Sequence, residues 1–162
     1  MSKKKGGAKA KSNGAVATNP KARHDYEILE TMEAGMVLTG SEVKSLRGGS
    51  ASMRESFAII RDGEPLLIGM HIGPYAQAGY AGHEPTRTRK LLLHKDEIKK
   101  LGVKTKLRGF TLIPLSVYFK KGKVKVELAL VTHKKQHDKR EAKRLADDKR
   151  EIERAVKHRN RE

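Results

Sequence analysis

Two arginines one residue apart carry the clearest chemistry in this 162-residue chain: Arg87 and Arg89, in Thr86-Arg-Thr-Arg-Lys90. In an extended segment alternate side chains project from one side, so both guanidinium groups could bridge neighbouring phosphates. The bland alternative is a solvated charged edge leading into Leu91-Leu92-Leu93, and spacing leaves both readings open. A second cationic cluster, Lys120, Lys121, Lys123 and Lys125, surrounds a turn, where lysine also protects sheet edges from aggregation. The remaining reactive residues assemble into nothing catalytic. His133 and His137 are four apart and can share a helical face, but no third metal ligand stands near them. Gly35 and Gly40-Ser41 have the outer spacing of a phosphate loop without its lysine. Asp96 and Glu97 diverge at adjacent helical positions and suit the N-terminal dipole better than acid–base work. With no cysteine there is no thiol nucleophile either. An enzyme acting on RNA would need an acid–base pair or metal cluster, and none is found. The chain reads as a non-enzyme without cofactor, metal or small-molecule substrate.

The charge balance names the kind of partner. Lys and Arg number 36 against 19 Asp and Glu, a formal net charge of +17, which calls for a polyanion. Residues 1–24 hold seven basic and no acidic side chains; residues 133–162 hold 12 basic and seven acidic. Three Phe, four Tyr and no Trp are few for a single-strand stacking platform, and Phe57, Phe110 and Phe119 read as core. A folded RNA recognised by shape and phosphates fits better, and no helix-turn-helix or zinc finger speaks for DNA. Absence of cysteine suits a reducing cytosol, so a cytoplasmic location is expected. Apolar runs fall far short of the ~20 residues of a membrane helix, and no apolar stretch follows the basic N-terminus as a secretory signal requires.

These side chains must be positioned by a small domain. Residues 1–18 read as a disordered basic arm, residues 19–132 as the folded domain and residues 133–162 as a basic tail. Tyr26–Glu30 and Met36–Leu38 flank Glu33-Ala34-Gly35 as a strand with a bend or bulge there. Ser41–Arg47 reads as a helix capped by Ser41 and stopped by Gly48-Gly49, and Lys95–Leu101 as a helix stopped by Gly102. Asp62-Gly63 between two apolar runs signals a hairpin. Leu112–Phe119 and Val124–Val131 form the strongest strand pair, with Val124, Val126, Leu128 and Leu130 on a buried face and Lys125, Glu127 and Ala129 on a wet one. Five or six short antiparallel strands with two small helices predict an OB-like barrel. The tail lacks a continuous apolar stripe; pairs such as Glu151–Arg154 and Glu153–Lys157 add only ~0.2–0.5 kcal/mol each. It is expected to be unfolded alone and helical against a polyanion.

Three stretches in order resemble one family: Gly40-Ser-Glu-Val-Lys-Ser-Leu-Arg47, Pro85-Thr-Arg-Thr-Arg-Lys-Leu-Leu-Leu93 and Lys134-Lys-Gln-His-Asp-Lys-Arg140. They resemble the SsrA-binding proteins, also called small protein B, from about Asn19 to the C-terminus. The resemblance implies an OB-like barrel that binds the tRNA-like domain of transfer-messenger RNA (tmRNA) and delivers it to stalled bacterial ribosomes. It implies that Glu33, Leu92 and Lys123 face RNA, alongside Arg87, Arg89 and Lys90. It places His137 at the decoding centre, with Asp138, Lys139, Arg140, Lys143 and Arg144 along the empty mRNA channel, the tail being helical there. The expected partners are thus tmRNA and the ribosome, with no membrane. From the residues alone, a structural ribosomal protein shares the basic arm, small barrel and helical tail.

Overall fold

The computed structural model describes residues 14–79 and 82–159. A long hairpin is its frame. Strands β8 (Phe110–Lys120) and β9 (Lys123–His133) pair antiparallel along their full length. Lys121 (φ 51°) and Gly122 (φ 75°) form a two-residue turn with both φ positive, whose twist matches that of the strands. Strands β4 (Phe57–Arg61) and β5 (Glu64–Ile68) turn the same way on Asp62 (φ 50°) and Gly63 (φ 75°), as their Asp-Gly predicts. Strand β2 (Tyr26–Met36) lies along β9, and β7 (Arg89–Leu92) links β2 to β5. Ala58 of β4 pairs with Leu112 of β8, so the order β8-β4-β5-β7-β2-β9 closes on β8 as an OB-like antiparallel barrel. Strands β3 (Ala51–Ser52) and β6 (His71–Ile72) form a separate two-stranded sheet. The interior is filled by Leu67, Met70, Leu91, Leu112, Val117, Val126 and Leu128, all fully buried.

Several boundaries differ from the sequence reading, each for a tertiary reason. Folded structure begins before Asn19: β1 (Ala15–Thr18) pairs with Ser116, Val117 and Tyr118 of β8, giving a short segment backbone partners it could not find alone. The rest of the expected arm, residues 1–13, lies outside the described residues. An unanticipated helix, α1 (Pro20–Asp25), then crosses the outside of the barrel. Its Ala22 packs on Ile113, Leu115, Ala129 and Val131, so Ala129 is buried rather than wet. Asn19 ties this corner down, with Nδ2 donating to the Pro114 carbonyl (3.1 Å) and Oδ1 accepting from the Ala22 amide (3.3 Å). The register shift in β2 falls at Ile28–Glu30, not at Glu33–Gly35, which pairs regularly with β9. Helix α2 (Gly40–Arg47) is preceded by Thr39, not capped by Ser41. Helix α3 (Lys95–Lys106) runs through Gly102, one turn beyond its predicted stop, and ends at Leu107. Phe57 is 40% exposed instead of buried, while Phe110 and Phe119 pack against the core as expected. The tail forms α4 (Gln136–Arg159).

One charged cluster is buried with the apolar core. Glu42 of α2 and Arg89 of β7 are both fully buried. Arg89 Nε donates to Glu42 Oε1 (2.9 Å), Arg87 Nε to the same oxygen (2.8 Å) and Arg87 Nη2 to Oε2 (2.7 Å). The Thr39 amide donates to Oε2 at 2.8 Å. Arg89 spends its other donors on the carbonyls of Met70 (2.7 Å), Pro85 (3.0 Å) and Arg87 (3.2 Å). Burial alone would raise the Glu42 pKa; the Arg87 hydrogen bonds, the Thr39 amide and the Arg89 charge override it and bring it to about 2.

Glu42→Gln leaves the buried Arg89 without its counter-charge, so it should cost about 3–5 kcal/mol of stability in urea unfolding. In the native protein, a carboxyl depressed on folding contributes stability that is complete above its unfolded pKa near 4.5. That contribution should fade as pH falls from about 4.5 to about 2, and Glu42→Gln should flatten that part of the profile.

Candidate nucleic-acid interface

The outer face near the β8–β9 turn gathers residues from four strands. Register places Leu92 of β7 opposite Gly35 of β2, Gly35 opposite Lys125 of β9, and Lys125 opposite Tyr118 of β8. At ~4.8 Å between strands this row spans roughly 14 Å. Glu33 and Lys123 stand two residues from Gly35 and Lys125 and so share their face, because side chains alternate along a strand. Lys120 is opposite Lys123. The structure thus brings together Glu33, Leu92 and Lys123, which the sequence holds far apart.

Glu33 is fixed in a cationic setting. The Tyr118 hydroxyl donates to its carboxylate, and Lys120 Nζ lies 3.2 Å from Oε1. The Tyr118 hydrogen bond, together with Lys120 and Lys125, holds the Glu33 carboxyl below its usual range. Burial and the facing Glu33 push the Tyr118 phenol upward, so it remains a donor at neutral pH. Glu33 is therefore a charged acceptor able to take N–H or O–H donors, with lysines beside it for phosphates. Leu92 is 53% exposed, an apolar surface in the same row. Gly35 makes room for it: a Cβ at Gly35 would come within 3.1 Å of the Leu92 Cβ. Tyr118 was not anticipated as part of this site; it lies 85 residues from Glu33, and only the register joins them.

The arginines are corrected. Arg87 and Arg89 do project from one side, but onto Glu42 instead of outward onto phosphates. Arg89 is fully buried and cannot meet RNA. Arg87 retains a partly exposed side chain, with Nη2 also donating to the Val37 carbonyl (3.3 Å). Lys90 is exposed and pairs with Glu64 across β5 at 2.7 Å.

The tail set stands apart from this face. His137, Asp138 and Lys139 fall in the first turn of α4, beyond the His133 end of β9, whereas Lys123 opens that strand. Arg140, Lys143 and Arg144 follow with exposed side chains, and so do Leu145, Ile152 and Val156. Arg150 approaches Asp147 at 3.8 Å. Among the described residues there is no cluster able to hold a metal ion, and no helix is long and apolar enough to cross a membrane.

Known proteins resemble the chain over nearly its whole length. The family model described as SmpB protein matches residues 16–158. The SsrA-binding protein of Syntrophobacter fumaroxidans is 54% identical over 153 residues, covering 94% of this chain and 95% of that one. Those of a Sulfurihydrogenibium species and Staphylococcus epidermidis are 58% and 52% identical, covering 90% and 93% of this chain and 96% and 97% of theirs. A solved structure described as "tmRNA-SmpB: a journey to the center of the bacterial ribosome" superposes with a TM-score of 0.64 at 49% identity. It covers 78% of this chain and 93% of its own.

Tyr118→Phe removes the hydroxyl donor while keeping the ring. The Glu33 carboxyl should then titrate at higher pH than in the unaltered protein, read from its carboxyl carbon by NMR. An unmoved titration would mean that the lysines alone hold it down.

Proposed function

This chain belongs to the SmpB protein family, and on that premise we propose that it binds tmRNA and delivers it to stalled bacterial ribosomes for trans-translation. The barrel takes the tRNA-like domain through the face carrying Glu33, Leu92, Lys120, Lys123 and Lys125. The observation that carries this is the four-strand row: one ionised acceptor, one exposed leucine and a group of lysines on a single surface. That composition suits a folded RNA, whose phosphates meet cations while base or ribose donors meet the carboxylate. Arg87 and Lys90 lie beside this surface as secondary contacts.

The tail acts separately. A helix charged on all sides has no stripe with which to pack on its own barrel, and it suits a channel walled by phosphates. His137, Asp138, Lys139, Arg140, Lys143 and Arg144 belong to that step, His137 with Asp138 nearest the decoding centre. The helix is stable there because the ordering cost of ~1–2 kcal/mol per residue is offset by ribosomal RNA charge. The protein works by binding, without catalysis or cofactor, in the cytoplasm where ribosomes translate.

Binding of the tRNA-like domain should weaken steeply as salt rises, because phosphate neutralisation releases counterions. Lys123→Ala should lower affinity and make the log–log salt slope shallower by about 1. Glu33→Ala should lower affinity with little change in slope, and normal binding by that variant would remove Glu33 from the interface. Leu145→Pro keeps every charge but costs ~3 kcal/mol or more in a helix interior. It should leave tmRNA affinity intact and abolish peptide transfer on stalled ribosomes. Normal transfer would show that the tail works as an extended polycation.

A further inference from the structure

At the other end of the barrel, the starts of β2, β4 and β8 and the end of β9 surround a groove of about 340 Å³. Tyr26, at this end of β2, is seven residues from Glu33, roughly 23 Å along a strand. The groove is thus remote from the row of Leu92 and Lys125. It is rich in rings: Tyr26, Phe57 and Phe110 line it, three of only seven Phe and Tyr in the chain. His133 joins them, its ring centroid 4.4 Å from that of Tyr26 at 42° between planes. Phe57 points out of its strand while its neighbour Ala58 fills the core. Exposing a phenylalanine forgoes burial that an inward-facing position would have provided.

The rim is polar, and two arginines adjoin it in the chain. Glu55, held at φ 61°, lines the groove and is exposed. Arg54 and Arg108, both exposed, immediately precede the lining residues Glu55 and Gly109. No atom lies within 4 Å of where a Cβ of Gly109 would stand, so that side of the rim is open.

We infer that this groove holds one unpaired nucleobase, and that its chemistry favours guanine; the inference rests on the RNA-binding reading. Its volume is at the small end for a ligand site, enough for a nucleoside and too small for a duplex. Unpaired bases are recognised by stacking on aromatic side chains and by hydrogen bonds to their Watson–Crick edges. A carboxylate at the rim accepts two parallel donors, and guanine supplies them from N1–H and its 2-amino group. Adenine, cytosine and uracil each set an acceptor beside their donor on that edge, which a carboxylate repels. Arg54 and Arg108 would meet the flanking phosphates, a feature that argues against an apolar peptide as occupant. Because His133 precedes the tail, the base would be held where α4 leaves the barrel.

The test uses the full chain with two probes, the isolated tRNA-like domain of tmRNA and small ribosomal subunits lacking mRNA. Phe57→Leu keeps an apolar side chain and removes the ring; Glu55→Gln alters an exposed residue that folding does not need. Each should weaken binding to one probe about tenfold, and the probe affected identifies the source of the base. A photo-crosslinking phenylalanine analogue at position 57 should label an unpaired guanine in that RNA. If both variants bind both probes within twofold of the unaltered chain, or the crosslink falls on protein or on paired nucleotides, the groove is not a base site. Lys123→Ala separates the two proposals: its effect with Phe57→Leu and Glu55→Gln silent removes the groove and leaves the proposed function. Failure of the unaltered chain to bind either probe removes both.

Discussion

The fold depends on a carboxylate that is out of reach of water. Glu42 receives four hydrogen bonds, from Arg87, Arg89 and the Thr39 amide, and through them joins α2, β7 and the segment that precedes β7. Arg89 extends the joint to Met70, just before β6, and to the loop around Pro85 through carbonyl oxygens. A pair of buried ions gains little net stability over apolar residues of the same shape, because both must be desolvated. What it does impose is direction. A carboxylate and two guanidinium groups accept only a narrow range of geometries, so α2 and the segment before β7 cannot slide on the barrel as apolar surfaces could. Ser45 reinforces the same junction by donating to the Gly73 carbonyl at 2.5 Å. A Cβ at Gly73 would fall 2.0 Å from the Ser50 hydroxyl, so a side chain there would have to turn Ser50 aside.

With β7 held in this way, Leu91 faces the core and Leu92 the solvent, and the outer row from β7 to β8 comes into register. The charges on that row are not uniform. Lys120 and Tyr118 pull inward on Glu33, so a carboxylate persists in a strongly basic neighbourhood. A surface of lysines alone would attract any polyanion. One fixed acceptor and one exposed leucine impose a chemical requirement that phosphates alone cannot meet, which is the difference between a selective surface and general electrostatic attraction.

The barrel and the tail solve opposite problems. Apolar side chains inside the barrel make it rigid, and its polar features are held by cross-strand neighbours. The described side chains of α4 from Arg140 onward are exposed, Leu145, Ile152 and Val156 among them. One strand, β9, spans the distance between the two: it begins at the lysines of the outer row and ends where the tail starts.

Local chemistry made much of this legible from the residues. Asp62-Gly63 and Lys121-Gly122 specify tight turns because their φ values are positive there, and alternation along Val124–Leu130 marks a strand with one buried face. The net charge of +17 pointed to a polyanion, and three motifs pointed to the family. Long-range partners were not legible. The alternation of Arg87 and Arg89 is equally consistent with an outward pair bridging phosphates and an inward pair gripping Glu42, since either arrangement uses the same extended backbone. Glu33 and Tyr118 are 85 residues apart, and Phe57 looks like any core phenylalanine until the far side of its strand is seen to be open. The amino-acid sequence by itself determined the turns, the buried face of Val124–Leu130, the basic character and the family. Only the tertiary structure decided which charges are buried and which await a partner, because burial of a charge depends on whether a counter-charge arrives from elsewhere in the chain.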